Sequence, residues 1–118
     1  MSHTPHHPFL RQIDAGVCVA PQLAPEFMAE LAGLGFKSIV NNRPDFEEGR
    51  SQPTSAQIEA AAKAAGLAYA HLPVQPGYQS PEEIARMAEL LSSMPRPMVA
   101  FCRSGTRSGK LYQAAIAR

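Results

Sequence analysis

Residues 100–110, AFCRSGTRSGK, set one cysteine directly after a short apolar run and follow it with small and basic residues. A cysteine so placed has three ordinary uses: core packing, metal ligation and nucleophilic attack. Between a strand and a helix, consecutive backbone N–H groups, a glycine that permits tight curvature and the positive end of a helix dipole together form an anion cradle. The same groups depress a thiol pKa, because negative charge on sulfur is met by several donors at once. Arg107 adds a planar fork that can hold two oxygens of an anion, and Ser104, Thr106 and Ser108 bring hydroxyls close to the sulfur. A core cysteine needs no such run of small and basic residues. The two cysteines of the chain lie far apart without CxxC spacing, which gives neither a zinc site nor a disulfide framework. Cys102 is therefore read as a nucleophile. Cys18, flanked by Val17 and Val19, is read as core packing.

The elements that must position this loop follow from periodicity and stop signals. Residues 16–20, GVCVA, end at Pro21 and read as a first strand; Pro25 opens a helix with Phe27, Leu31 and Leu34 at helical spacing and Gly35 as its stop. FKSIVN is a second strand. An alanine-rich helix with Thr54 or Ser55 as its cap leads to LAYAHLPV, a third strand. Ser80, Pro81, Glu82 and Glu83 open the clearest helix, whose stripe is Ile84, Met87, Leu90 and Leu91. PMVAF, a fourth strand, runs straight into Cys102, and a last helix begins near Thr106. The expected fold is a single α/β domain, a mostly parallel four-stranded sheet with helices on both faces. Ligands of such sheets bind at the carboxyl ends of the strands, where Cys102 falls. Residues 1–12 are expected to form a flexible N-terminal arm and residues 13–118 the domain; histidines 3, 6 and 7 bring no cysteine or carboxylate, and no metal or cofactor is called for.

Length and composition narrow the function. At 118 residues, with 45% hydrophobic and 18% charged residues, the chain fits one globular domain. Apolar runs are too short for a membrane span, so a cytoplasmic protein without membrane partners is expected. All ten acidic residues lie between Asp14 and Glu89, whereas Arg96, Arg103, Arg107, Lys110 and Arg118 follow with no acid among them. That segment favours a small anionic substrate. No basic stripe is sustained over a whole helix, so no nucleic-acid partner is expected.

CRSGTRS resembles the active-site loop of rhodanese-type sulfurtransferases, a cysteine and an arginine separated by four residues. With APQLAPEFMAELAGLGFKSIVNNRPDFEEG and AAAKAAGLAYAHLPV, the chain from about Asp14 onward resembles the phosphatase-like domain of the beta-lactamase-hydrolase-like protein family. The resemblance implies a dual-specificity-phosphatase-like fold, with Cys102 as nucleophile and Arg107 as the anion-binding arginine. It also implies that Arg103, Ser104, Gly105, Thr106 and Ser108 line the cradle. NNRPD ends the second strand at the same edge, so Arg43 and Asp45 are expected to face the loop, or else to pair locally and close a turn. Members are regarded both as phosphatases and as sulfur transferases, and some are joined to a persulfide dioxygenase module, an expected partner.

Two features separate these chemistries. Phosphatase loops of this kind carry five residues between cysteine and arginine, not four, so a narrower cradle is expected. Phosphate esters expel an alkoxide or phenoxide that needs a general acid, and PVQPGYQSPEE holds no aspartate where the related phosphatases place one; Asp45 is the substitute. Sulfur transfer needs no such acid, since sulfite or a thiolate leaves unprotonated. The expected function is a sulfurtransferase passing sulfur from thiosulfate or a persulfide to a thiol acceptor through a Cys102 persulfide. The alternative is a phosphatase acting through a Cys102 phosphocysteine.

Overall fold

The computed structural model describes residues 4–118. The chain runs β1 (Arg11–Asp14), β2 (Val17–Ala20), α1 (Phe27–Leu34), β3 (Ser38–Asn41), α2 (Ser55–Ala64), β4 (Ala68–His71), α3 (Pro81–Ser93), β5 (Met98–Phe101) and α4 (Thr106–Ile116), with one 3-10 turn at Gly49–Ser51. The strands order as β1-β2-β5-β3-β4. The β2–β5, β3–β5 and β3–β4 pairs are parallel, and β1 joins β2 antiparallel. The sheet is thus mixed and five-stranded, against the four strands expected. RQID is polar and largely exposed, so this edge strand carries no apolar alternation for a sequence reading to find. Arg11 and Gln12, assigned by sequence to the arm, open that strand. Ahead of it, Thr4 Oγ1 accepts the Gly16 N–H at 2.8 Å, and the His7 ring lies 2.9 Å from Glu30. His3 lies outside the described residues.

Strands β2, β3 and β5 are buried along their whole length, as parallel strands covered on both faces must be. Their side chains alternate between two cores. Val17, Val19, Val40, Met98 and Ala100 meet Met87, Leu90 and Leu111 from α3 and α4. Cys18, Ala20, Ile39, Val99 and Phe101 meet Met28, Leu31 and Ile58 from α1 and α2. Cys18 is a core residue, 1% exposed, and burial pushes its thiol pKa up. The helices start where their caps say: Thr54 with Gln57, and Ser80 with Glu83, form reciprocal capping boxes. At the end of α1, Gly35 at φ 107° sends its N–H back to Ala32 O. No helix among the described residues is long and apolar enough to cross a membrane.

The consequence for chemistry lies in β5. It is the central strand, so its last residues are flanked by both neighbours. Asn42 N–H donates to Phe101 O at 2.8 Å, and Cys102 N–H donates to Ala20 O at 3.3 Å. The backbone entering the loop is clamped between the ends of β2 and β3.

The α3 cap sits away from this clamp. Ser80→Ala is expected to lower stability by about 1 kcal/mol in urea titration while leaving Cys102 alkylation unchanged.

Candidate functional site

The chain leaves β5 and turns through residues 102–105 into α4. Gly105 makes that turn possible. Its φ of 94° is left-handed, so a side chain there is strained, and its Cβ would rest in contact with backbone atoms of Ala20 at 3.4 Å. In this conformation the Gly105 N–H donates to Cys102 Sγ at 3.1 Å. Cys102 is only 1% exposed. Burial alone would push its thiol pKa up, yet the Ser108 and Ser104 amides, the Ser108 hydroxyl and the Gly105 amide outweigh it, and the pKa falls below the ordinary thiol value. Two buried cysteines in one fold thus shift in opposite directions; only Cys102 has converging donors.

Arg107 stands in the first turn of α4. Its Nη1 donates to Glu47 Oε2 at 3.1 Å and to Val74 O at 3.0 Å, and its Nη2 donates to Glu47 Oε1 at 3.2 Å. A guanidinium has five N–H donors. Among the described residues, Nε–H and the second Nη2–H make no hydrogen bond, and these two point in parallel. One edge of the guanidinium is fixed by the protein, and the other is able to grip an oxyanion.

Glu47 went unnoticed in the sequence. The only signal for it was its place in NNRPDFEEG, the loop leaving β3 at the same sheet edge. Its carboxylate also accepts from Arg43 Nε at 2.8 Å. Burial acts to raise its pKa, but the Arg43 and Arg107 hydrogen bonds and charges prevail and hold the group below the usual carboxylate range. Arg43, 4% exposed, donates Nη1 to Gln22 at 3.1 Å. Its Nη2 lies 3.1 Å from Glu48 Oε1 without hydrogen-bond alignment. Glu48 is shared with Arg103, whose Nε approaches to 2.7 Å. Arg103 therefore turns toward Glu48, and Arg43 stands behind Glu47 rather than pairing with Asp45.

Asp45 turns to a different element than the loop. Its Oδ1 accepts the Ser55 N–H at 2.7 Å at the start of α2, and no hydrogen bond or ion pair among the described residues joins it to residues 102–108. The backbone between Asp45 and Glu47 passes through Phe46 at φ 62°, so the two acids serve different partners. Asp45 supports a helix, and Glu47 reaches the arginines.

A cleft of about 400 Å³ opens beside the loop, between residues 75–79 and Ser104, Thr106, Arg107 and Lys110. This lies within the usual range for small-molecule sites. Ser104 Oγ donates to Thr106 Oγ1 at 3.3 Å at the rim, whereas Ser108 is fully buried behind the sulfur.

A parallel α/β core with a cysteine loop at the end of its central strand, and an arginine in the first turn of the next helix, fits a phosphatase-like domain. The chain belongs to the family described as beta-lactamase hydrolase-like protein, phosphatase-like domain, whose model matches residues 9–118. A beta-lactamase hydrolase-like protein of Agrobacterium fabrum is 39% identical over 82 residues, 70% of this chain but 19% of that protein. The chain thus spans about a fifth of that relative. A candidate phosphatase from Neisseria meningitidis superposes with a TM-score of 0.80 at 32% identity, covering 91% of this chain and 75% of that one. The core catalytic domain of a PP-IP phosphatase from S. cerevisiae, in complex with citrate, shares the fold with a TM-score of 0.66 at 16% identity over 93% of this chain and 65% of that one.

Two variants test the geometry. Gly105→Ala should raise the Cys102 pKa by about one unit, the worth of one hydrogen bond to a charged group, seen as a shifted pH profile of iodoacetamide alkylation. Glu47→Gln removes the charge facing two arginines and should cost about 1–3 kcal/mol in unfolding free energy.

Proposed function

We propose that this domain is a cysteine-dependent hydrolase of phosphate monoesters. The observation that carries the reading is a thiol met by loop amides at the start of a loop that ends in an arginine with two parallel free donors. In the first step the Cys102 thiolate attacks phosphorus and the bond to the leaving oxygen breaks, while Arg107 Nε–H and Nη2–H and the loop amides hold the phosphoryl oxygens. In the second step water attacks the phosphocysteine, releasing inorganic phosphate and restoring the thiolate. Relatives of phosphatase-like fold support the phosphate reading over the sulfur transfer expected from the loop spacing and the missing acid. The cleft beside the loop, with Arg107 and Lys110 in its lining, also has the volume for a small anionic ester.

The general acid expected at Asp45 is engaged at α2, and Glu47 is held ionised between two arginines. The leaving group must therefore depart largely as an anion, which favours aryl esters over alkyl esters. Sulfur transfer remains as a second reading because of the same two observations, the four-residue spacing and the lack of an acid at the sulfur: sulfite and thiolates need no proton to leave.

One set of assays separates the two. Aryl phosphate hydrolysis, and sulfur transfer from thiosulfate to cyanide, are measured with the wild-type chain, Cys102→Ser and Arg107→Lys. Phosphatase turnover is expected to vanish in Cys102→Ser and to fall about 10²–10³-fold in Arg107→Lys. The logarithm of kcat/KM should drop steeply as leaving-group pKa rises, and a flat dependence would reveal an acid. Sulfur transfer far exceeding phosphate hydrolysis reverses the order of the two readings.

A further inference from the structure

Arg11 stands on β1, the exposed edge strand, and its side chain lies against α4. Gly109 leaves the helix surface bare there: a Cβ at this position would rest 3.5 Å from Arg11 Nη2. Thr106, Gly109, Lys110 and Gln113 recur every three or four residues and so share one face of α4. With Arg11 and Ile13 they line a hollow of about 380 Å³. Arg11 and Lys110 are both exposed. Among the described residues neither side chain makes a hydrogen bond or an ion pair, whereas Arg43, Arg103 and Arg107 each have a glutamate.

This hollow adjoins the cysteine loop. Thr106 and Lys110 line both it and the cleft that holds Arg107. Arg11 and Thr106 line a further hollow of about 310 Å³ together with Ser104 and Gly105. No aspartate or glutamate lines any of the three. Thr106 Oγ1 accepts from Ser104 Oγ at 3.3 Å, which leaves its own proton for an oxygen passing between the cleft and the hollow. Two like charges facing one hollow repel, and an anion seated between them relieves the repulsion and gains two attractions.

We infer that Arg11 and Lys110 form a second anion subsite, so that the substrate is a small bisphosphate: one phosphoryl group is transferred at Cys102 while the other, on the leaving part, is held by the pair. The inference rests on the phosphate reading of the Cys102 site. Two cations match the double charge of a phosphate better than the single charge of a carboxylate. The subsite adds no covalent step, because the second phosphoryl group departs with the leaving part. Arg107 and the loop recognise the group being cleaved. Arg11 and Lys110 select what that group is attached to.

The test compares phenyl phosphate with meta- and para-phenylene bisphosphate at low ionic strength, in wild type, Arg11→Gln, Arg11→Lys and Lys110→Gln. After allowance for the two equivalent ends, wild type should show kcat/KM about tenfold higher for at least one bisphosphate, mainly through KM, each exposed ion pair supplying about threefold. Arg11→Gln should lose about threefold of that preference with phenyl phosphate turnover unchanged. Arg11→Lys should keep most of it, Lys110→Gln should lower it, and added salt should shrink it. Equal kcat/KM for the mono- and bisphosphates overturns the proposal, as does a preference that survives in Arg11→Gln. An equal loss for phenyl phosphate in Arg11→Gln overturns it too, by marking a structural role. Calorimetric titration of the same three compounds into Cys102→Ser keeps the subsite apart from the reaction. Tighter binding of a bisphosphate, weakened when Arg11→Gln is added, upholds the subsite even if wild type hydrolyses none of the three, a result that counts against the proposed reaction alone. Hydrolysis of phenyl phosphate without an Arg11-dependent preference sinks the subsite and leaves the reaction standing.

Discussion

The chemistry of this domain depends on backbone N–H groups of one strand-to-helix turn meeting at a single sulfur. Cys102 is as buried as Cys18, and burial on its own keeps a thiol protonated. What reverses the outcome is the path of the chain. Gly105 in the left-handed region presses against Ala20 and points its amide at Sγ, while Ser104 and Ser108 add theirs. A side chain at position 105 would be strained by the left-handed backbone, in close contact with the Ala20 backbone. The sheet thus fixes the loop, and the loop fixes the charge.

Around this turn lies a second constraint, the ion-pair frame of Arg43, Glu47, Glu48, Arg103 and Arg107. Surface pairs of this kind contribute little, but Arg43 is 4% exposed and Glu47 is partly buried, so neither charge can be left without its partner at small cost. The frame has a directional effect. By occupying Arg107 Nη1 and one Nη2 hydrogen, Glu47 and Val74 leave the guanidinium with one usable edge and one orientation. The same frame explains why Glu47 is a poor proton donor: two cations keep it ionised.

These two constraints set the limits of the reaction. A thiol with a lowered pKa beside an arginine with a free edge suits attack on either phosphorus or sulfane sulfur, and the proposed reading takes phosphate. For the proposed phosphate reaction, the two acids of the loop after β3 that sequence or structure brings into question are already engaged, Asp45 at α2 and Glu47 by the arginines. The chemistry then falls on leaving groups that are stable as anions. Here the burden of choosing substrates shifts from the protein to the substrate itself.

Much of the fold was legible in the sequence because its signals are local. Buried parallel strands read as short apolar runs, capping boxes announce α2 and α3, and glycine closes α1. Cys102 and Arg107 were legible for the same reason, since their spacing lies within one loop. The edge strand β1 was not, because RQID faces solvent and leaves no apolar pattern. Nor was Glu47 distinguishable from Asp45: both are acids in one polar loop, two residues apart, and only the left-handed turn at Phe46 separates the one that caps a helix from the one that holds the arginines. Asn42 reads in sequence as the end of a strand, and its contact with Ser108 spans 66 positions. The sequence by itself determined the elements and the reactive pair; the tertiary structure decided which carboxylate, amide and hydroxyl stand against them, because those partners come together only when separate strand ends meet at one edge of the sheet.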